Sequence, residues 1–355
     1  MSEVYPTLTA LFTDIADAIR ETTGDTDLII ADDFPDVIRD SLQVKPYLTF
    51  KSPSSFTLAV NDTTKHWDGT LEYSTDASTW STWDGTTTLS STTSGSSNVL
   101  YLRGTGNTVI TGNNLNYRWV LTGTDIKCIG NIENLLDYAT VASGAHPTMS
   151  DDCYRFMFFN CTSLTKAPAL PATTLANYCY NCMFYGCIAL IQAPALPATT
   201  LASNCYSEMF RGCTALTQAP DLPATTLADH CYSTMFNGCT SLTKVPSELP
   251  ATKLAVRCYA FMFEFTAITA IPRIMATTYA TDSCKGMFDD IKTLNVYSRS
   301  GPGHTYGWTA PASTYCSGMF GSDDGESEWA KLDGSNFPNS GTPTEGVTYY
   351  FATVD

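Results

Sequence analysis

The chain has 355 residues, room for two or three domains, and a formal net charge of −16 although only 15% of its residues are charged. Its 19 Lys and Arg are too few to neutralise a phosphate backbone or to build a basic patch, which excludes nucleic acid and anionic membrane surfaces as partners. No run approaches the roughly 18 apolar residues of a membrane span, and the opening MSEVYPTLTALFTDIADAIRE does not read as an export signal.

Residues 1–45 place Leu8, Leu11, Phe12, Ile15 and Ile19 at the three-to-four spacing of one helix face, with Gly24 as a natural stop. An N-terminal helical segment is expected here, for attachment or oligomerisation or simply packed on the next domain. The phrase Phe12-Thr13-Asp14-Ile15-Ala16-Asp17-Ala18-Ile19-Arg20, with Thr23-Gly24 soon after, resembles the N-terminal segment of many phage tail and tail-fibre proteins. That resemblance implies attachment to virion or tail proteins and a homo-oligomer, a trimer among the options.

Residues 46–123 carry short alternating runs at 47–50, 56–60, 67–73, 79–85, 99–103 and 117–121, separated by Gly, Asp and Ser turns. Strands at that spacing predict a small, Ig-like β-sandwich. Ser74-x-Asp76 ahead of Trp80 is read as a hairpin tip. Trp67, Trp80 and Trp83 are candidates for stacking on sugars, with core packing expected for about two of the three.

From 124 to 320 the chain is organised by a 26-residue phrase, typified by CYNCMFYGCIALIQAPALPATTLASN at Cys179 and CYSEMFRGCTALTQAPDLPATTLADH at Cys205. A related copy starts at Cys153, another at Cys231, a worn one at Cys258, and fragments recur at Cys284 and Cys316. Such a period predicts a solenoid, in which each coil buries its apolar face against its neighbours. Leu175, Cys179 and Met183 are four residues apart, which predicts a short helix in every coil. Asn160, Gly186, Gly212 and Gly238 would end it in the left-handed conformation. Pro168, Pro194, Pro220 and Pro246 close a parallel strand about three residues wide. Residues 126–136 read as a capping coil, and 321–355 as a C-terminal cap with a terminal strand at 346–351. The Met-Phe-x-Gly-Cys-Thr-x-Leu-Thr phrase resembles the BspA-like class of bacterial leucine-rich repeats, found in bacterial surface proteins and phage tail proteins. The resemblance implies a curved solenoid used for binding, without catalytic activity.

The cysteines follow the repeat: Cys153, Cys179, Cys205 and Cys231 in one column, and Cys161, Cys187, Cys213 and Cys239 in another. Cys258 and Cys284 are expected to continue the first column. Thr266 replaces Cys where the second ladder leaves register, which suits a small buried side chain and not a disulfide partner. Stacked free thiols are the expected state, bridges between adjacent coils the alternative. No metal site is expected, since no CxxC pair recurs and the four histidines are isolated. The acidic turn at 323–328 lacks the order of a calcium loop.

No catalytic motif and no cofactor signature occurs: there is no HExxH, GxSxG or phosphate-cradling loop. What varies between copies marks surface. Lys166, Gln192, Gln218 and Lys244 form one candidate ligand-binding column on the strands, and Tyr185, Arg211 and Asn237, preceded by Phe159, form another beside the helix end. The expected fold class is mixed α/β: a leucine-rich-repeat solenoid preceded by a β-sandwich and a helical segment. The expected function is a non-enzymatic phage virion or tail-fibre adhesin recognising a host-surface glycan or protein. The alternatives are a bacterial cell-surface adhesin and a purely structural virion protein.

Overall fold

Alternation sets the first layer. In β1 (Leu48–Ser52) Leu48, Phe50 and Ser52 point inward while Thr49 and Lys51 point out, and β7 (Ser97–Thr105) pairs with it antiparallel, Leu48 opposite Leu102 and Phe50 opposite Leu100. The computed structural model describes residues 45–321, 330–337 and 341–352; the expected N-terminal helical segment and the acidic turn at 323–328 lie outside them. β3 (Thr70–Ser74) and β4 (Ser81–Trp83) extend the sheet beyond β7, and β6 (Thr92–Ser94) pairs with the first half of β7. A second sheet has the order β5 (Leu89–Ser90), β2 (Thr57–Val60), β8 (Trp119–Thr122). Between them lie Trp67, Trp83 and Trp119, each at most 3% exposed, with ring centroids 5.2 and 5.6 Å apart.

The larger sheet does not stop at the sandwich. β9 (Ile126–Ile129) pairs antiparallel with β1 on one side and parallel with β10 (Leu164–Lys166) on the other. β10 is the strand of the first repeat, so the sandwich edge serves as the template on which the coils stack. Helix α1 (Asn134–Ala142) crosses nearby and is broken at Asp137. Its start presses on β7 so closely that a Cβ on Gly104 would lie 1.7 Å from the Leu135 carbonyl oxygen.

The mixed α/β reading of the repeats is overturned. The described residues hold two α-helices, α1 and the four-residue α2 (Ser313–Cys316), and neither belongs to a complete repeat. The expected helix is instead a chain of overlapping turns. In the second copy the amides of Asn181, Met183, Tyr185 and Cys187 donate to the carbonyls three residues back, while those of Tyr178, Tyr180, Cys182, Phe184 and Gly186 donate to the next coil. Every fourth residue is left-handed: Tyr178, Cys182 and Gly186 here, then Asn204, Glu208 and Gly212. A left-handed third position is what a type II turn needs. An α-helix would spend its amides on its own carbonyls; this spiral keeps half of them for its neighbour. The period of four residues mimics one helix face, which is why the spacing read as helical.

Each non-glycine left-handed residue costs about 1–2 kcal/mol, offset by stacking. Tyr154, Tyr180, Tyr206, Tyr232 and Tyr259 form one ring column with centroids 5.6–6.0 Å apart. Phe158, Phe184, Phe210, Phe236, Phe263, Phe288 and Phe320 form a second, at 5.6–5.8 Å. At one end Phe158 meets Phe50 and Trp119 of the sandwich. At the other, Phe320 lies against Phe337 and Phe351.

The strand segments are narrower than expected, reduced to bridges such as Lys166–Gln192 and Gln218–Lys244 and to the two-residue pair β11 (Glu248–Leu249) and β12 (Arg273–Ile274). The recurring prolines withhold the donors a wider ladder needs. Past the repeats, β13 (Asn295–Val296) pairs with β15 (Lys331–Leu332), which pairs with β16 (Ser335–Asn336). The insertion at 298–309 supplies β14 (Tyr306–Thr309), which pairs antiparallel with the terminal strand β17 (Thr348–Phe351).

Candidate functional site

All thirteen cysteines are buried and unbridged. Their columns do different work. In the second, the thiols of Cys187, Cys213 and Cys239 donate to the carbonyls of Phe158, Phe184 and Phe210 one coil back, at 3.0–3.1 Å. Thr266 keeps a donor at that position but turns it to Phe263 of its own coil, 2.7 Å away. In the first column Cys284 departs from its expected place. The amide of Tyr259 donates to Ser283, as that of Tyr232 does to Cys258, so Ser283 continues the cysteine column and Cys284 enters the tyrosine column. Burial pushes the thiols of Cys161, Cys239 and Cys258 up to about 12, so they stay protonated and act as packing groups and weak donors rather than nucleophiles.

The variable columns occupy two segments of the coil. Lys166, Gln192, Gln218 and Lys244 sit on the bridge strands, with the last three exposed and Lys166 half-buried between β9 and the second coil. Beside them the second copy carries Ile188 and Ile191, 49% and 59% exposed, where the third and fourth copies have Thr214, Thr217, Thr240 and Thr243.

The other column lies on the turn spiral, two residues after each Met. Phe159 stacks on Tyr185 with centroids 4.6 Å apart, and the Arg211 guanidinium lies 5.5 Å from the centre of Tyr185. Arg211 is also 3.0 Å from Glu208. Asn237 is less open than its place among the candidate ligand residues implies. It is 7% exposed and its amide donates to Glu264 in the next coil. The column therefore runs from aromatic through guanidinium and amide to carboxylate.

Sequence reading missed the group beside this column. The Arg155 guanidinium lies between Phe156 and Tyr178, 4.8 and 4.7 Å from their ring centres, tied to Asp152 and Asn181. No single column reveals it, because its members come from three positions of the repeat. Glu264, Asp289 and Asp290 each bring a carboxylate oxygen within 4.8 Å of the others. Three such donors fall short of the six to eight oxygens that calcium takes, and Asn237 already binds Glu264.

On the sandwich, Asp76 forms the hairpin tip: it accepts from the amides of Thr79 and Ser78 and from the Ser74 hydroxyl, and these bonds hold its carboxyl far below the usual range. Trp67 and Trp83 are core residues and Trp80 is half-buried at the surface. No helix among the described residues is long and apolar enough to cross a membrane. Comparison with protein-family models, with curated proteins and with solved structures found no match to this chain.

Proposed function

We propose that this chain is a non-enzymatic adhesin of a phage virion or tail, whose stacked coils present side-chain columns to a host-surface glycan or protein. One observation carries the reading. The inward columns repeat the same Tyr, Met, Phe and Cys from coil to coil, whereas the column beside them changes residue at every step from Phe159 to Glu264, passing from aromatic to guanidinium, amide and carboxylate. A scaffold that holds its core constant and varies its surface is organised for recognition. Aromatic and arginine side chains, the types that concentrate binding energy, gather at the first three coils as Phe156, Phe159, Tyr178, Tyr185, Arg155 and Arg211. The resemblance of residues 12–24 to phage tail proteins, and of the repeat phrase to tail and bacterial surface proteins, supports the virion placement, with attachment through the N-terminal segment and assembly as a homo-oligomer.

The test is antibody labelling under the electron microscope of phage particles and intact cells from one culture, followed by adsorption assays with purified protein as competitor. Label on particles, with adsorption blocked by the native chain but not by a Tyr185→Ala/Arg211→Ala variant, is the expected result. Label confined to the bacterial envelope sinks the virion placement. Label on particles without competition leaves a structural virion protein.

A further inference from the structure

The sandwich carries a surface that the coil stack does not explain. The outward residues of its larger sheet alternate with core residues: Thr49 lies opposite Tyr101, and Glu72 opposite Arg103. Tyr47 brings its ring 5.2 Å from Tyr101 and 5.6 Å from Trp80, so three half-buried aromatic rings are contiguous. Arg103 locks this patch from the side. Its guanidinium lies 4.1 Å from the Trp80 ring centre and 4.5 Å from that of Tyr138 on α1, while its Nε donates to Glu72 at 2.7 Å. Among the described residues, its Nη hydrogens have no protein acceptor, and the side chains of Arg103 and Glu72 remain 20% and 27% exposed.

We propose that this face is a second, separate glycan-binding platform, taking a neutral polysaccharide of equatorially substituted hexopyranoses. Such sugars present a flat C–H face that lies across Tyr47, Trp80 and Tyr101, the amphipathic ring types suited to surfaces that are part apolar and part wet. The planar Arg103–Glu72 pair offers fixed donors and an acceptor to ring hydroxyls, and its orientation is set before ligand arrives, which lowers the ordering cost of binding. The formal charge of −16 repels acidic polymers, and the Arg103–Glu72 pair carries no net charge with which to offset that repulsion, so the glycan is neutral. The platform does not depend on the virion placement or on the coil columns.

Affinity electrophoresis of the purified full chain through gels containing hydroxyethyl cellulose, glycol chitin, β-glucan or xyloglucan tests it. Retardation by at least one polymer is expected, weakened roughly tenfold or more by Trp80→Ala, as for an aromatic anchor, and also by Arg103→Leu. Asp221→Ala, exposed on the coil stack outside both side-chain columns, should leave it unchanged. Tyr47→Ala, remote from the core, repeats the measurement should Trp80→Ala lower the melting temperature. No retardation by any neutral polymer overturns the platform. So does retardation lost in Tyr185→Ala but kept in Trp80→Ala and Tyr47→Ala, which would assign glycan binding to the coils. Binding of a host protein in place of any polysaccharide overturns it likewise.

Discussion

The sandwich and the coil stack use the same bonds in opposite ways. In the sandwich, strands distant in sequence pair in long registers, five residues each for β1 and β3 against β7, and the core is a single event centred on Trp67, Trp83 and Trp119. In the stack, amides alternate between a turn within the coil and the neighbouring coil, and the core is one motif repeated. The sandwich is thus specified by unique contacts, while the stack is specified by identity between neighbours. An added atom in the sandwich is a local and severe clash. An added atom in the stack is milder, whereas a lost ring interrupts a whole column.

The largest expected effect sharpens this contrast. Phe210→Ala removes a ring held between Phe184 and Phe236 and should cost about 3–5 kcal/mol. Urea unfolding should then show two transitions instead of one as the array divides. A single cooperative transition at unchanged midpoint would deny the column its role. Next come two glycines. Gly104→Ala drives a Cβ into the Leu135 carbonyl and should cost about 3 kcal/mol, the upper range for overpacking. Gly212→Ala meets nothing nearer than 3.8 Å but must hold φ at +72°, so a loss of about 1–2 kcal/mol is expected. Equal losses would contradict the contrast.

The tyrosines of one column differ in their hydroxyls. That of Tyr154 donates to Ile132 at 3.2 Å, whereas those of Tyr180 and Tyr232 are buried with no hydrogen-bond partner among the described residues. Tyr154→Phe should therefore cost about 1 kcal/mol, and Tyr180→Phe should be neutral or stabilising, as read by melting temperature. The smallest effect concerns Asp137. Its carboxylate accepts from the amides of Thr140 and Gly106 and caps the second half of α1. The bond from Thr140, then that from Gly106, hold its pKa below the usual 3.8 despite some opposing burial. The stability this contributes is present above about pH 4 and is lost as pH falls through the lowered folded value. Asp137→Asn keeps a capping side chain and should flatten that part of the acid dependence, with a change of only a few tenths of a kcal/mol near neutrality.

Several features were legible in the chain alone. Burial of Cys179, Met183 and Phe184 follows from apolar residues recurring at fixed places in a 26-residue period, because only stacking can bury them. The core alternation of β1 and the turn at Asp76 follow from local patterning. The columns of Lys166 and Tyr185 follow from comparing copies.

The tertiary structure decided the rest. Apolar residues four apart satisfy both an α-helix and a spiral of four-residue turns, and no propensity would place Tyr178, Cys182 or Thr234 in the left-handed region. The neighbouring coil makes that conformation worthwhile, because it alone supplies acceptors for the amides the spiral turns outward. The same dependence put Ser283 in the column expected for Cys284, buried Asn237 against Glu264, and gathered Tyr47, Trp80, Tyr101 and Arg103 from three separate strand regions. Period and polarity are properties of a segment. The partner of each backbone amide, and the company each side chain keeps, are properties of the packed whole.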